Sequence, residues 1–211
     1  IEKLKRLRIS SIEVTELNDA VLEVIKSNKV IVDHLHIPLQ AGSDEILKAM
    51  NRKYNLDYYK NKIKQIRSIR PDISISTDII VGFPGEDEKL FEQTLKTAQS
   101  IAFSKIHVFP YSIRKNTKAA SMPNQVDGKI KKERAKRLIE LSKELEIEYM
   151  NKFVGKTVEV LTENNKDDIT YGHTGNFLHV KINKVLPNDL LKMVKITSVS
   201  YPYVIGELID E

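Results

Sequence analysis

Asp78-Ile79-Ile80-Val81-Gly82-Phe83-Pro84-Gly85-Glu86 is the stretch on which the fold turns. The run Ile73 to Val81 leading into it is apolar enough for a buried strand, and it stops abruptly at Gly82-Phe83-Pro84-Gly85. Glu86-Asp87-Glu88 follows, and then Leu90, Phe91, Thr94, Leu95 and Ala98 at helical spacing. A strand, a tight glycine turn and a helix with acid in its first turn are expected. The two glycines let a ligand approach the backbone closely. In α/β folds, ligands bind at this carboxyl end of the strands.

The same rhythm extends outward. Leu4 to Val14 and Val30 to Leu39 read as strands before it, and Lys105 to Pro110 as a strand after it. Between them lie amphipathic stretches, with Thr15, Ser43 and Asp57 as expected caps and Pro71 as a stop. Strand and helix in alternation imply parallel strands with helical crossovers. Four strands cannot close a barrel, so the sheet is expected to be open or to lack strands. An exposed sheet edge follows from that expectation, and with it edge-to-edge pairing.

Ser112 to Gly128 reads as a polar loop, and residues 129–153 as a long helix with Ile130, Leu138, Leu141, Leu145 and Met150 toward a core. Its first half carries Lys129, Lys131, Lys132, Arg134, Lys136 and Arg137, read as a solvated face. After Gly155 the period changes to two, in Thr157 to Leu161, Phe177 to Ile182 and Met193 to Ile196. Residues 1–154 are therefore expected to form an α/β domain. Residues 155–211 are expected to form a small antiparallel β-barrel or sandwich.

The chain has 211 residues, 41% hydrophobic and 30% charged, which fits a soluble globular protein. It has no apolar run of membrane-spanning length and no apolar signal core, so no membrane partner is expected and a cytoplasmic location is the default. The net charge of +5 permits contact with phosphate. Cysteine is absent, which excludes thiolate metal sites and disulfides within these residues. With no methionine at position 1, the chain is expected to be a piece of a longer protein.

Parallel strands would gather chemistry on one rim: Ser10, Ser11 and Glu13; Gln40 and Ser43; Gly82, Gly85 and Glu86; Tyr111, Ser112 and Arg114. Glu and Gln can hold sugar hydroxyls, and Arg114 can grip a carboxylate. Glu86 alone reads as a helix-start carboxylate. His34 and His36 alternate on a strand and share a face, but no third metal ligand lies near them in sequence.

Taken together, four stretches resemble the radical S-adenosylmethionine methylthiotransferases. They are Leu7 to Glu13; His34-Leu35-His36-Ile37-Pro38-Leu39-Gln40-Ala41-Gly42-Ser43-Asp44 with Leu47, Met50, Arg52 and Tyr54; Asp78 to Glu86; and Phe109 to Arg114 with Thr117, Ala119 and Ala120. Gly172 to Val180 is similar to a hairpin of the TRAM domain, the small RNA-binding barrel of these enzymes. The hairpin is closest to the branch acting on threonylcarbamoyl-adenosine.

The resemblance implies a partial parallel (β/α) barrel, units three to six of a six-unit radical SAM barrel, followed by the TRAM barrel. It implies S-adenosylmethionine and 4Fe-4S clusters as cofactors, with the cluster cysteines upstream. It implies Glu13 and Gln40 against the ribose and Ile80 and Gly82 against the adenine. Ser11, Ser43 and Arg114 would face the methionyl end or substrate. No catalytic residue and no metal ligand is expected in this piece, which alone should not reduce S-adenosylmethionine. The implied reaction of the parent is methylthiolation of C2 of a modified adenosine in a tRNA anticodon stem-loop. Lys152, Lys156, Lys181, Lys184, Lys192 and Lys195 are candidate phosphate contacts. A ribosomal-protein methylthiotransferase and a non-catalytic RNA-binding module are the competing readings.

Overall fold

The computed structural model describes residues 3–209. Strands β1 (His34–His36), β2 (Ser74–Val81) and β3 (Lys105–Pro110) form a parallel sheet in that order. Helices α1 (Asp19–Ser27), α2 (Asp44–Ala49), α3 (Leu56–Ile69), α4 (Glu88–Ile101) and α5 (Gly128–Asn151) complete the first part of the chain. Leu35, Ile37, Ile75, Ile79 and Val81 are fully buried, in one core with Tyr59, Phe91 and Phe103 from the helical side. Each such side chain contributes about 1.5–3 kcal/mol by leaving water.

Two expected strands are shorter than their apolar patterns. The Leu4 to Val14 stretch is not a strand but an edge segment, joined in parallel only at Leu7↔Ile31 and Ser11↔His36. Its polar residues Lys5, Arg6, Ser10 and Ser11 are only partly buried or exposed, so little burial holds it in a ladder. The Val30 to Leu39 stretch is regular only at His34–His36, because Pro38 has no N–H to give. The Thr77 hydroxyl fills the gap, donating to the Ile37 carbonyl and accepting from Leu39 N–H, both at 2.8 Å. Pairing then resumes at Gln40↔Ile79.

Asn18, Ser43, Asn55, Asp87 and Asp127 cap the helices through their side chains. Thr15 is not a cap, because a short 3-10 turn, Val14–Glu16, absorbs it. Asp57 sits inside the first turn of α3, where its charge suits the helix dipole, while Asn55 takes the extended cap conformation.

The second part is a closed barrel of β4 (Thr157–Lys166), β5 (Ile169–Thr174), β6 (His179–Ile182), β7 (Leu191–Ser200) and β8 (Tyr203–Leu208), ordered β4-β5-β6-β8-β7. It is not wholly antiparallel, since β6 and β8 run parallel. Val160, Val180, Val194, Ile196 and Val204 fill it. Tyr149, Met150 and Phe153, at the end of α5 and just beyond it, join this second core, so α5 connects the two parts.

Candidate functional site

Gln40 and the turn at Gly82 lie at the carboxyl ends of β1 and β2. Gln40 N–H donates to the Asp78 carbonyl at 2.8 Å, and Ile80 N–H to the Gln40 carbonyl at 2.9 Å. Gln40 adopts φ 69°, a left-handed conformation at a non-glycine residue. Such strain often marks a residue aimed by its surroundings. Ile80 is the half-buried neighbour of that pair. Ser11 bridges to His36, and Glu13 follows two residues later, its Oε1 accepting from Arg52 Nη1 at 3.0 Å. Glu13, Gln40 and Gly82 thus stand at the same ends of neighbouring segments. Ser43 is fully buried and its hydroxyl accepts from Ile46 N–H, so it holds the turn. Arg114 lies on an exposed loop beyond β3, and the structure does not bring its side chain to the others.

The glycine turn is built from two directions. Gly82 has φ 72°, and a Cβ there would lie 2.4 Å from Lys131 Cγ. Lys131 crosses the turn and donates to the Tyr111 carbonyl at 3.1 Å. Gly42, in the turn after β1, approaches α4 so closely that a Cβ would lie 2.5 Å from Thr94 Cα. Glu86 is buried, not a helix-start carboxylate. Its Oε1 accepts from Gly82 N–H at 2.7 Å and from Arg134 Nη1 at 3.0 Å. Burial pushes its carboxyl pKa up, while Gly82 N–H and Arg134 oppose that shift. Arg134 is 4% exposed, and Arg137 engages Glu88 and Glu92. Part of the basic run on α5 is therefore a clamp on the strand–helix turn, not a solvated face.

The other face of the sheet lines a cavity of about 390 Å³, walled by Arg8, Ser11, His34, His36, Ser76 and His107 and by Asn176, Phe177 and His179 of the terminal barrel. A row of polar contacts, an ion-pair approach followed by two hydrogen bonds, runs along the sheet here. Asp78 Oδ2 lies 3.3 Å from His36 Nε2, His36 Nδ1 lies 3.0 Å from Ser76 Oγ, and Ser76 Oγ lies 3.2 Å from His34 Nε2. His34 Nδ1 is buried without a partner. Burial, with the Arg8 charge second, pushes the His34 pKa down to about 4. Phe177 closes the wall, with the Arg8 guanidinium carbon 3.4 Å from its ring centre and His173 stacked on it.

His34 and His36 stand out in the sequence as a pair on one strand face, whereas Asp78, Ser76 and His107 do not. Their signal was the alternation Ser74, Ser76, Asp78 and Lys105, His107, which puts them on one face once the strands are in register.

On the terminal barrel, Lys181 Nζ lies 4.1 Å from the centre of the Tyr203 ring, and Tyr171 packs edge-on against Tyr203. Lys156 is engaged with Asp72 at 3.0 Å, and Lys152 lies over Tyr149. Lys195 and Lys184 are exposed, and Lys192 is half-buried. Among the described residues, no helix is long and apolar enough to cross a membrane.

Residues 1–98 match the radical SAM superfamily. The chain is 38% identical to the threonylcarbamoyladenosine tRNA methylthiotransferase of Bacillus subtilis, over 99% of this chain and 48% of that protein. It is 40% identical to the tRNA-2-methylthio-N(6)-dimethylallyladenosine synthase of Thermoanaerobacter pseudethanolicus, over 100% of this chain and 45% of that protein. It thus spans about half the length of these relatives. Among solved structures, coproporphyrinogen III oxidase from Escherichia coli, a radical SAM enzyme, shares the fold with a TM-score of 0.53 at 14% identity, over 91% of this chain and 46% of that one. Residues 1–98 thus resemble the radical SAM superfamily, and the whole chain is similar to about half the length of tRNA methylthiotransferases.

Proposed function

We propose that this chain is the carboxyl part of a radical SAM tRNA methylthiotransferase, with residues 1–154 forming units three to six of a partial (β/α) barrel and residues 155–211 a TRAM-like RNA-binding barrel. The observation that carries the reading is the rim. Gln40 and Gly82 turn at neighbouring strand ends, with Glu13 beside them, and the backbone there is shaped by a left-handed Gln40 and by Gly82, where any side chain would be strained and would meet Lys131. In this reading Glu13 and Gln40 hold the ribose hydroxyls of S-adenosylmethionine, and Ile80 and Gly82 lie against its adenine. Ser11 and Arg114 serve the methionyl end or substrate, and Ser43 serves by capping α2.

The chain has no cysteine, so it offers no thiolates for an iron–sulfur cluster, and its residues do not fit that cofactor. They orient and shelter; the cluster and its ligands belong to a separate part of the parent. The parent's product would be a C2-methylthiolated adenosine beside the tRNA anticodon.

The terminal barrel supports an RNA partner. Tyr171, Tyr203 and His179 offer stacking faces next to Lys181 on adjoining strands. Bases stack on such rings while lysines neutralise phosphate. Fluorescence anisotropy of a labelled anticodon stem-loop tests this. Binding that falls with salt, and that weakens by about 1–3 kcal/mol in Tyr203→Ala, is expected. Equal affinity for wild type and Tyr203→Ala would reject the RNA role of this face.

A further inference from the structure

Adjacent strands bring two imidazoles and one carboxylate to one point on the sheet, beside the cavity that His36 and His107 line. The register sets Asp78 beside His107, and sets His36 beside Ser76, two residues from Asp78 on the same face. One nitrogen or oxygen atom from each of His36, Asp78 and His107 lies within 4.8 Å of the others. His36 Nε2 and Asp78 Oδ2 are 3.3 Å apart, the separation of two donors on one tetrahedral ion with bonds of about 2.0–2.1 Å. His36 is already aimed, since Ser76 Oγ engages its Nδ1 at 3.0 Å and leaves Nε2 facing the carboxylate. Metal-bound histidines are oriented in this way through their second nitrogen. His107 is exposed, so its ring can turn the remaining distance without disturbing the core.

We propose that His36, Asp78 and His107 form a mononuclear site for a divalent first-row transition metal ion, of the two-histidine, one-carboxylate kind. Two imidazoles select such ions over magnesium and calcium, and the absence of thiolate disfavours copper(I). Three protein ligands leave further coordination positions for water or another ligand, and two of the three, His36 and His107, line the cavity. The ligands stand on strands of one sheet, so binding requires little rearrangement of the backbone.

Calorimetric titration of the metal-free chain with Zn²⁺, paired with visible absorption on adding Co²⁺, tests it. The chain has no cysteine, so any cobalt band reports nitrogen and oxygen ligands only. Saturable binding of a single ion is expected. His36→Gln, Asp78→Asn and His107→Gln should each weaken it by roughly 100-fold or more, and Ser76→Ala by roughly 10-fold. His179→Gln should change nothing. It probes the terminal barrel, where His179 packs near His173 and His173 Nδ1 lies 2.6 Å from a Glu163 carboxylate oxygen. His107→Gln, on an exposed side chain, carries the result if a buried variant fails to fold. Absence of saturable binding by either ion, or binding that His107→Gln leaves intact, would overturn the site.

Discussion

Arg134 Nη1 lies 3.0 Å from Glu86 Oε1, and the two side chains are 5% and 0% exposed. This pair fixes the start of α4 and the glycine turn to α5, because the same carboxylate oxygen accepts from Gly82 N–H. Removing one partner leaves a buried, uncompensated charge. Arg134→Ala is expected to cost about 3–5 kcal/mol in denaturant unfolding. Glu86→Gln, which keeps an acceptor for Gly82, should cost less than Arg134→Ala. Equal losses would mean that packing, not the charge, holds the turn.

Gly82→Ala meets two obstacles, the φ of 72° and the Lys131 side chain across the turn. A loss of roughly 1–3 kcal/mol of stability is expected from the backbone strain. Lys131→Ala removes the steric obstacle but not the strain. The double variant should therefore recover only part of the loss by thermal unfolding.

His34 is held neutral in the fold, with its pKa near 4 against an ordinary value of 6.5. The unfolded chain therefore binds this proton first as pH falls. Stability from this residue is complete above pH 6.5 and is lost between pH 6.5 and about 4. The loss is at most roughly 3 kcal/mol by pH 4. His179, also lowered to about 4, adds a smaller loss in the same window because it is only partly buried. Unfolding curves of wild type and His34→Gln across that range should diverge above pH 6 and converge toward pH 4.

Phe177 lies between Arg8 and His173, and so joins the terminal barrel to the edge segment. Phe177→Ala is expected to cost about 0.5–1 kcal/mol, since the cation–π contact is solvent-exposed. Faster amide exchange should appear in the segment around Arg8. Unchanged exchange there would show that the Phe177 contact does not hold the segment to the barrel.

The strand–turn–helix at Gly82 and the change of period after Gly155 were legible because burial writes its period directly into the chain. The shortness of the first two strands was not. Apolar residues at Val30, Ile31 and Val32 look like strand, yet Pro38 and an unsupported edge interrupt the ladder. The basic run on α5 was misread because the acids that engage Arg134 and Arg137 lie in Glu86 to Glu92, far away in sequence. The rim residues Gln40 and Gly82 were readable from position, whereas the grouping of His36 with Asp78 and His107 needed the register of three strands.

The proposed role of the rim as a cradle for S-adenosylmethionine is tested most directly by calorimetry on a full-length protein that contains this chain. Gln40→Ala is expected to weaken S-adenosylmethionine binding by about 1–2 kcal/mol, the loss of one or two hydrogen bonds. That is a rise in Kd of roughly 5- to 30-fold. An unchanged Kd would contradict the account.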